Sequence, residues 1–134
     1  MIIIDDFVKD DNLLTRIQHD DTFFGANGNF MWWEGWHFDK DEKHWANTGG
    51  NDGGEVISPV IGTIFYPKKS EFTGGYLEIQ SAGDDYPAEV IEPKFNRLII
   101  FDAGKHKHRV TEVKSGLRYA IAINLWQTEL LAAK

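Results

Sequence analysis

Residues 95 to 126 read FNRLIIFDAGKHKHRVTEVKSGLRYAIAINLW. Leu98 to Phe101 is a short run, apolar on both faces, of the kind that fits a strand buried between two layers. Asp102, Ala103 and Gly104 break it. From Lys105 the alternation is strict, with Lys105, Lys107 and Arg109 on one face of an extended chain and His106, His108 and Val110 on the other. This places the histidines inward and the cations outward. Lys114, Ser115 and Gly116 supply turn chemistry, and Leu117 to Trp126 alternates again. Arg118, Ala120, Ala122 and Asn124 share one face, and Tyr119, Ile121, Ile123 and Leu125 share the other. An arginine withdrawn from water needs an anion. A hairpin that sends a His and an Arg toward one interior therefore points to a metal beside a carboxylate ligand.

The string His108-Arg109-Val110, followed by Val113, Gly116, Arg118 and Tyr119 and closed by Trp126, resembles the C-terminal signature of iron(II)- and 2-oxoglutarate-dependent dioxygenases of the prolyl 4-hydroxylase-like group. That family places an iron-ligand His and, ten positions later, a basic residue that grips the distal carboxylate of 2-oxoglutarate; His108 and Arg118 have that offset. The resemblance implies an HxD pair well upstream, and the chain carries one at His37-Phe38-Asp39. Residues two apart leave an extended chain from the same face, so both side chains can reach one metal. With His108 they would form a 2-His-1-carboxylate facial triad, an arrangement diagnostic for non-haem iron(II) oxygenases. His106 shares the parity of His108 but lacks the offset to Arg118.

The rest of the chain extends the likeness, which is strongest over residues 61 to 126. Phe72 to Ile79, FTGGYLEI, matches the family's GGxLxI strand. Tyr66 occupies the place of a tyrosine that hydrogen-bonds 2-oxoglutarate, although Pro67 follows it where the family usually has Leu. Asn96-Arg97 stands where the family more often has a Gly before its apolar strand. The implied cofactors are Fe(II), 2-oxoglutarate as co-substrate, and O2. The implied activity is a hydroxylase that couples 2-oxoglutarate decarboxylation to C–H hydroxylation. Its substrate would be a peptide proline or a small molecule.

With 134 residues the chain is expected to form a single domain, burying roughly two thirds of the surface its unfolded form exposes. The 21 acidic and 14 basic residues leave a net charge of -7, which argues against a general nucleic-acid binder, since phosphate backbones are held by clustered Lys and Arg. The absence of cysteine excludes disulfides, thiol catalysis and zinc-thiolate sites. The N-terminal Met1-Ile2-Ile3-Ile4-Asp5-Asp6 has no cationic region, and no apolar run reaches membrane-spanning length. A soluble, cytoplasmic protein with no membrane association is the expectation.

In chain order, Ile2 to Ile4 predicts a strand, and Asp10 or Asp11 can cap a helix with Leu13, Leu14 and Ile17 on one side. Phe30, Trp32, Trp33, Trp36, Phe38 and Trp45 form an aromatic-dense stretch expected to fill the core, or alternatively to line a pocket mouth. Asn47 to Gly54 reads as a flexible glycine-rich loop or a lid over the site. Val56 to Tyr66 reads as strand material interrupted by Pro59 and Gly62, with Ile64 and Tyr66 on one face. A short N-terminal helix, about eight strands and no βαβ rhythm predict a mainly β protein, a double-stranded β-helix of the jelly-roll, cupin-like kind. Two other classes compete with the dioxygenase. A non-catalytic jelly-roll binding module has no physical reason to keep costly inward polar groups. A metal-dependent cupin enzyme that does not use 2-oxoglutarate leaves Arg118 without a role.

Overall fold

Leu98–Phe101 is an inner strand of a computed structural model that describes residues 1–20 and 35–127. In chain order the described elements are β1 (Ile2–Ile4), α1 (Asp11–Gln18), α2 (Glu42–Asn47), β2 (Ile61–Phe65), β3 (Phe72–Gly74), β4 (Leu77–Gln80), β5 (Glu89–Ile91), β6 (Leu98–Phe101), β7 (Lys107–Val110), β8 (Val113–Gly116) and β9 (Ile121–Leu125). All strand pairs are antiparallel. The first sheet runs β1-β6-β2-β9. The second runs β5-β4-β7, and the pair β3-β8 prolongs it, because β3 leads into β4 and β7 into β8. The result is the mainly β, jelly-roll architecture that the strand pattern predicts.

The period-two pattern explains which side chains meet. Ile64, Tyr66, Ile99 and Phe101 of the first sheet pack with Leu77, Ile79 and Ile91 of the second and with Ala103. Leu98 and Ile100, on the reverse of β6, are half-buried, so that strand is covered fully on one face only. Gly62 does not interrupt β2 as the sequence suggests. It lies inside the strand because a Cβ there would stand 2.4 Å from that of Ala103, a separation only glycine avoids.

Two local features show why the departures in sequence are tolerated. Asn96, at φ 61°, takes the left-handed conformation that a Gly would supply, which Asn adopts more readily than most residues. Its buried side chain exchanges hydrogen bonds with the backbone of Val8, accepting from the N–H and donating to the C=O at 3.0 Å each. Asp10 caps α1, its Oδ1 accepting from the N–H groups of Asn12 and Leu13.

Two expectations need correction. Trp36 and Phe38 are 39% and 42% exposed and do not fill the core, while Phe30, Trp32 and Trp33 lie outside the described residues. Trp45 is half-buried in α2, with Lys40 Nζ 4.5 Å from its ring centroid. Asn47 ends α2, and the glycine-rich stretch after it turns back with Gly50 N donating to Trp45 O and Gly54 N to Gly50 O, each at 2.8 Å. Finally, Leu117 to Ala120 is not strand; β9 begins at Ile121.

Candidate metal and co-substrate site

His37 and His108 meet as an isolated antiparallel bridge. Each backbone N–H donates to the other's carbonyl, His37 to His108 at 3.1 Å and His108 to His37 at 2.9 Å. This pairing adds the HxD segment to the edge of β7, and the Asp39 N–H is anchored to Ala103 O at 2.8 Å. The three side chains converge in consequence. His108 Nε2 lies 3.1 Å and His37 Nε2 3.5 Å from Asp39 Oδ1, and the three ligand atoms all lie within 4.8 Å of one another. His108 is buried with its ring edge-on to Phe101 at 5.0 Å; His37 and Asp39 are half-buried.

The remaining ring atoms decide what this cluster can hold. His37 Nδ1 lies 2.8 Å from Gly35 O, and His108 Nδ1 lies 3.0 Å from His106 O. A carbonyl can only accept, so in each neutral ring Nδ1 carries the hydrogen and Nε2 presents a lone pair. Two lone pairs and an ionised carboxylate oxygen then face each other, an arrangement that requires a cation between them, either a proton or a metal. Burial pushes the Asp39 carboxyl up, but hydrogen bonds from His108, His37 and Asn124 outweigh it and hold the group well below the usual carboxylate range. The Asp39 hydrogen bond holds the His37 pKa up against the opposing effect of burial.

At the other end of the sheet interior stand Tyr66 and Arg118. Tyr66 directly follows β2 and is buried, and its hydroxyl has no hydrogen-bond partner among the described residues. Burial pushes its pKa up, with the nearby Arg118 charge opposing. The Arg118 guanidinium carbon sits 5.4 Å from the Tyr66 ring centroid, and its Nε donates to Gly75 O at 3.1 Å. Gly75, at φ 69°, leaves the room: a Cβ there would lie 2.7 Å from Arg118 Cδ. Among the described residues no carboxylate pairs with Arg118. The buried hydroxyl makes no close hydrogen bond, although Arg118 lies near enough to lower its pKa, and together the two groups supply donors of the kind a carboxylate accepts.

Comparison with protein families settles what kind of protein this is. A model described as 2OG-Fe(II) oxygenase superfamily matches residues 18–126. The chain belongs to that superfamily. No curated protein and no solved structure matches it. The oxygenase is thus an iron(II)- and 2-oxoglutarate-dependent dioxygenase that uses O2. Two imidazoles and one carboxylate with their ligand atoms converging are the donor set such an enzyme requires.

The structure brings His37, Asp39 and His108 together and sets Tyr66 beside Arg118. His106 stays out of the cluster and contributes only its backbone carbonyl to His108. Sequence reasoning missed Asn124 as a partner of Asp39, to which its Nδ2 donates at 2.9 Å. The available signal was its place on the inward face of the last strand, two residues beyond Ala122. Arg109, on the reverse of β7, contacts Glu78 at 3.3 Å and stacks on Trp36, with 4.6 Å from its guanidinium carbon to the ring centroid. The outward cation next to His108 thus packs on the residue preceding His37. Among the described residues no helix is long and apolar enough to cross a membrane.

Proposed function

We propose that His37, Asp39 and His108 hold the iron(II), that Arg118 and Tyr66 hold the distal carboxylate of 2-oxoglutarate, and that the enzyme is a prolyl 4-hydroxylase-like hydroxylase. The observation that carries the metal assignment is the convergence of three ligand atoms within 4.8 Å, with both Nδ1 atoms already engaged by backbone carbonyls. Iron(II) bound with 2-oxoglutarate and O2 supplies oxidative decarboxylation to succinate and CO2, coupled to insertion of one oxygen atom into a substrate C–H bond.

The chain's own groups bind and orient. Gly35 O and His106 O set the tautomers of the two histidines. Arg118 offers a fork of N–H donors and Tyr66 one O–H donor, which together match a carboxylate better than a point charge would. The peptidyl-proline reading rests on the resemblance of the His108 to Trp126 string to the prolyl 4-hydroxylase-like group; Trp36, stacked by the outward Arg109, has no part in it.

The test is an anaerobic titration of iron(II) and then 2-oxoglutarate, followed by the visible charge-transfer band. Succinate release is then measured on proline-containing peptides and, in parallel, on free amino acids. A band at one equivalent of each, with turnover on the peptides, is the expected result. A band with turnover only on free amino acids overturns the peptide reading and leaves the site intact. No band at all overturns the site.

A further inference from the structure

We propose that Asn124 is a positioning residue for the metal, whose side-chain amide keeps Asp39 bound through one oxygen only. This rests on the reading of His37, Asp39 and His108 as metal ligands.

The two oxygens of Asp39 have different surroundings. Oδ1 faces His108 Nε2 at 3.1 Å and His37 Nε2 at 3.5 Å, whereas Oδ2 accepts from Asn124 Nδ2 at 2.9 Å. A carboxylate can only accept, so the Asn124 amide must turn its NH2 toward it. Asn124 is thereby committed as a donor, and Oδ2 is drawn away from the imidazoles.

The surrounding backbone keeps this arrangement. Asn124 lies opposite Gly62 in the β2–β9 register. A Cβ at Gly62 would come 3.2 Å from Asn124 Oδ1 and 2.4 Å from Ala103 Cβ, and Ala103 O in turn accepts the Asp39 N–H at 2.8 Å. Glycine on β2, Ala103, Asp39 and Asn124 therefore pack as one unit that fixes the carboxylate from its backbone and from its outer oxygen.

The consequence concerns coordination number. A facial triad leaves three positions open, enough for a chelating 2-oxo acid and O2 together. A carboxylate that turned both oxygens to the metal would remove one of them. Asn124 prevents that by occupying Oδ2, so it affects both metal affinity and the room left for 2-oxoglutarate.

The test uses the full chain and cobalt(II), which replaces iron(II) without reacting with O2 in this assay. Asn124→Leu keeps much of the volume and removes the donor; Asn124→Asp keeps the outline and substitutes an acceptor. Each is titrated with cobalt(II), then with 2-oxoglutarate, while the cobalt absorption spectrum is recorded. Both should bind cobalt(II) roughly 10- to 100-fold more weakly, the usual cost of removing a partner of a metal ligand. At saturating cobalt(II) they should also show an altered spectrum and weaker 2-oxoglutarate binding. Wild-type affinity and spectrum in Asn124→Leu, with His108→Ala failing to bind, overturn the proposal and leave the metal site standing. Equal cobalt(II) affinity in the wild type and His108→Ala overturns the metal reading itself. The wild type gives an independent reading that needs no variant. With zinc(II) added, the Asn124 side-chain amide signal should shift in nuclear magnetic resonance and stay protected from exchange, and a freely exchanging amide overturns the proposal.

Discussion

The two ends of the site differ in how their polar groups are satisfied. At the metal end the groups around the converging lone pairs have protein partners: both Nδ1 atoms meet carbonyls, and both Asp39 oxygens have neighbours within hydrogen-bond or ion-pair distance. At the co-substrate end the Tyr66 hydroxyl is buried without a partner, and Arg118 has no carboxylate among the described residues. The metal end is organised before its ligand arrives. The co-substrate end keeps unused hydrogen-bonding capacity, a cost of about 1–3 kcal/mol per buried group that a bound carboxylate would remove. On the proposed assignment, preorganisation serves a metal that must be held in one geometry, while unspent donors serve a co-substrate consumed at every turnover.

Removing a proposed metal ligand breaks the organised end, and the largest effect is expected there. His37→Ala, Asp39→Ala and His108→Ala should each abolish iron-dependent 2-oxoglutarate decarboxylation, whereas His106→Ala should retain it, since only the His106 backbone reaches the site. Bound iron and succinate release check all four. A dead His106→Ala beside an active His108→Ala would show that the wrong histidine has been assigned.

Arg118 tests the other end. Arg118→Ala should keep its metal but lose 2-oxoglutarate affinity by roughly 30-fold to several thousand-fold, and Arg118→Lys should fall between, because an ammonium cannot supply two parallel hydrogen bonds. Calorimetric titration of 2-oxoglutarate decides it. Undiminished affinity with a much lower melting temperature would make the arginine structural.

Tyr66→Phe sharpens the contrast, since stability and function should move in opposite directions. Deleting an unpartnered buried hydroxyl should raise the melting temperature of the ligand-free protein by a few degrees. The same change should weaken 2-oxoglutarate roughly tenfold, the loss of one hydrogen bond to a charged group. A variant that melts lower and binds 2-oxoglutarate normally would show that the hydroxyl serves the fold.

The smallest effect is in pH. The Asp39 hydrogen bond raises the His37 pKa above the ordinary histidine value, so in the metal-free protein His37 contributes stability that is fully present below about 6.5 and lost as pH rises through the folded value. Asp39, held low, contributes stability lost only as pH falls through strongly acid values. A metal must displace the His37 proton, so cobalt(II) affinity should fall about tenfold per unit below that raised pKa. Between about pH 6 and 8 the metal-free melting temperature should decline while cobalt(II) binding strengthens. Parallel profiles would separate His37 from both roles.

Much of this organisation is legible in the order of residues along the chain. Alternation puts Ile64 and Tyr66 on one face, and both are buried, because on a strand the face of a residue depends only on its parity. It does not say which face of the all-apolar Leu98–Phe101 is covered, and only that of Ile99 and Phe101 is fully buried. Parity also puts His37 and Asp39 on one side and keeps His108 inward, and the ten-residue offset to Arg118 separates His108 from His106. The left-handed conformation of Asn96, by contrast, is visible only in the structure; the sequence shows merely an Asn in place of the family's more usual Gly. Parity fails where the element itself is misjudged, at Leu117 to Ala120, which leave the strand, and at Trp36 and Phe38, whose sides follow an isolated bridge. What only the tertiary structure decides are the pairings across long separations: Asp39 with His108 over 69 residues and with Asn124 over 85. A local pattern is set by neighbours along the chain, but a contact of that kind depends on sheet register, on the close approach allowed at Gly62, and on which polar groups find partners after the chain has closed. The hydroxyl of Tyr66 is left without one, and its neighbours in sequence carry no sign of that.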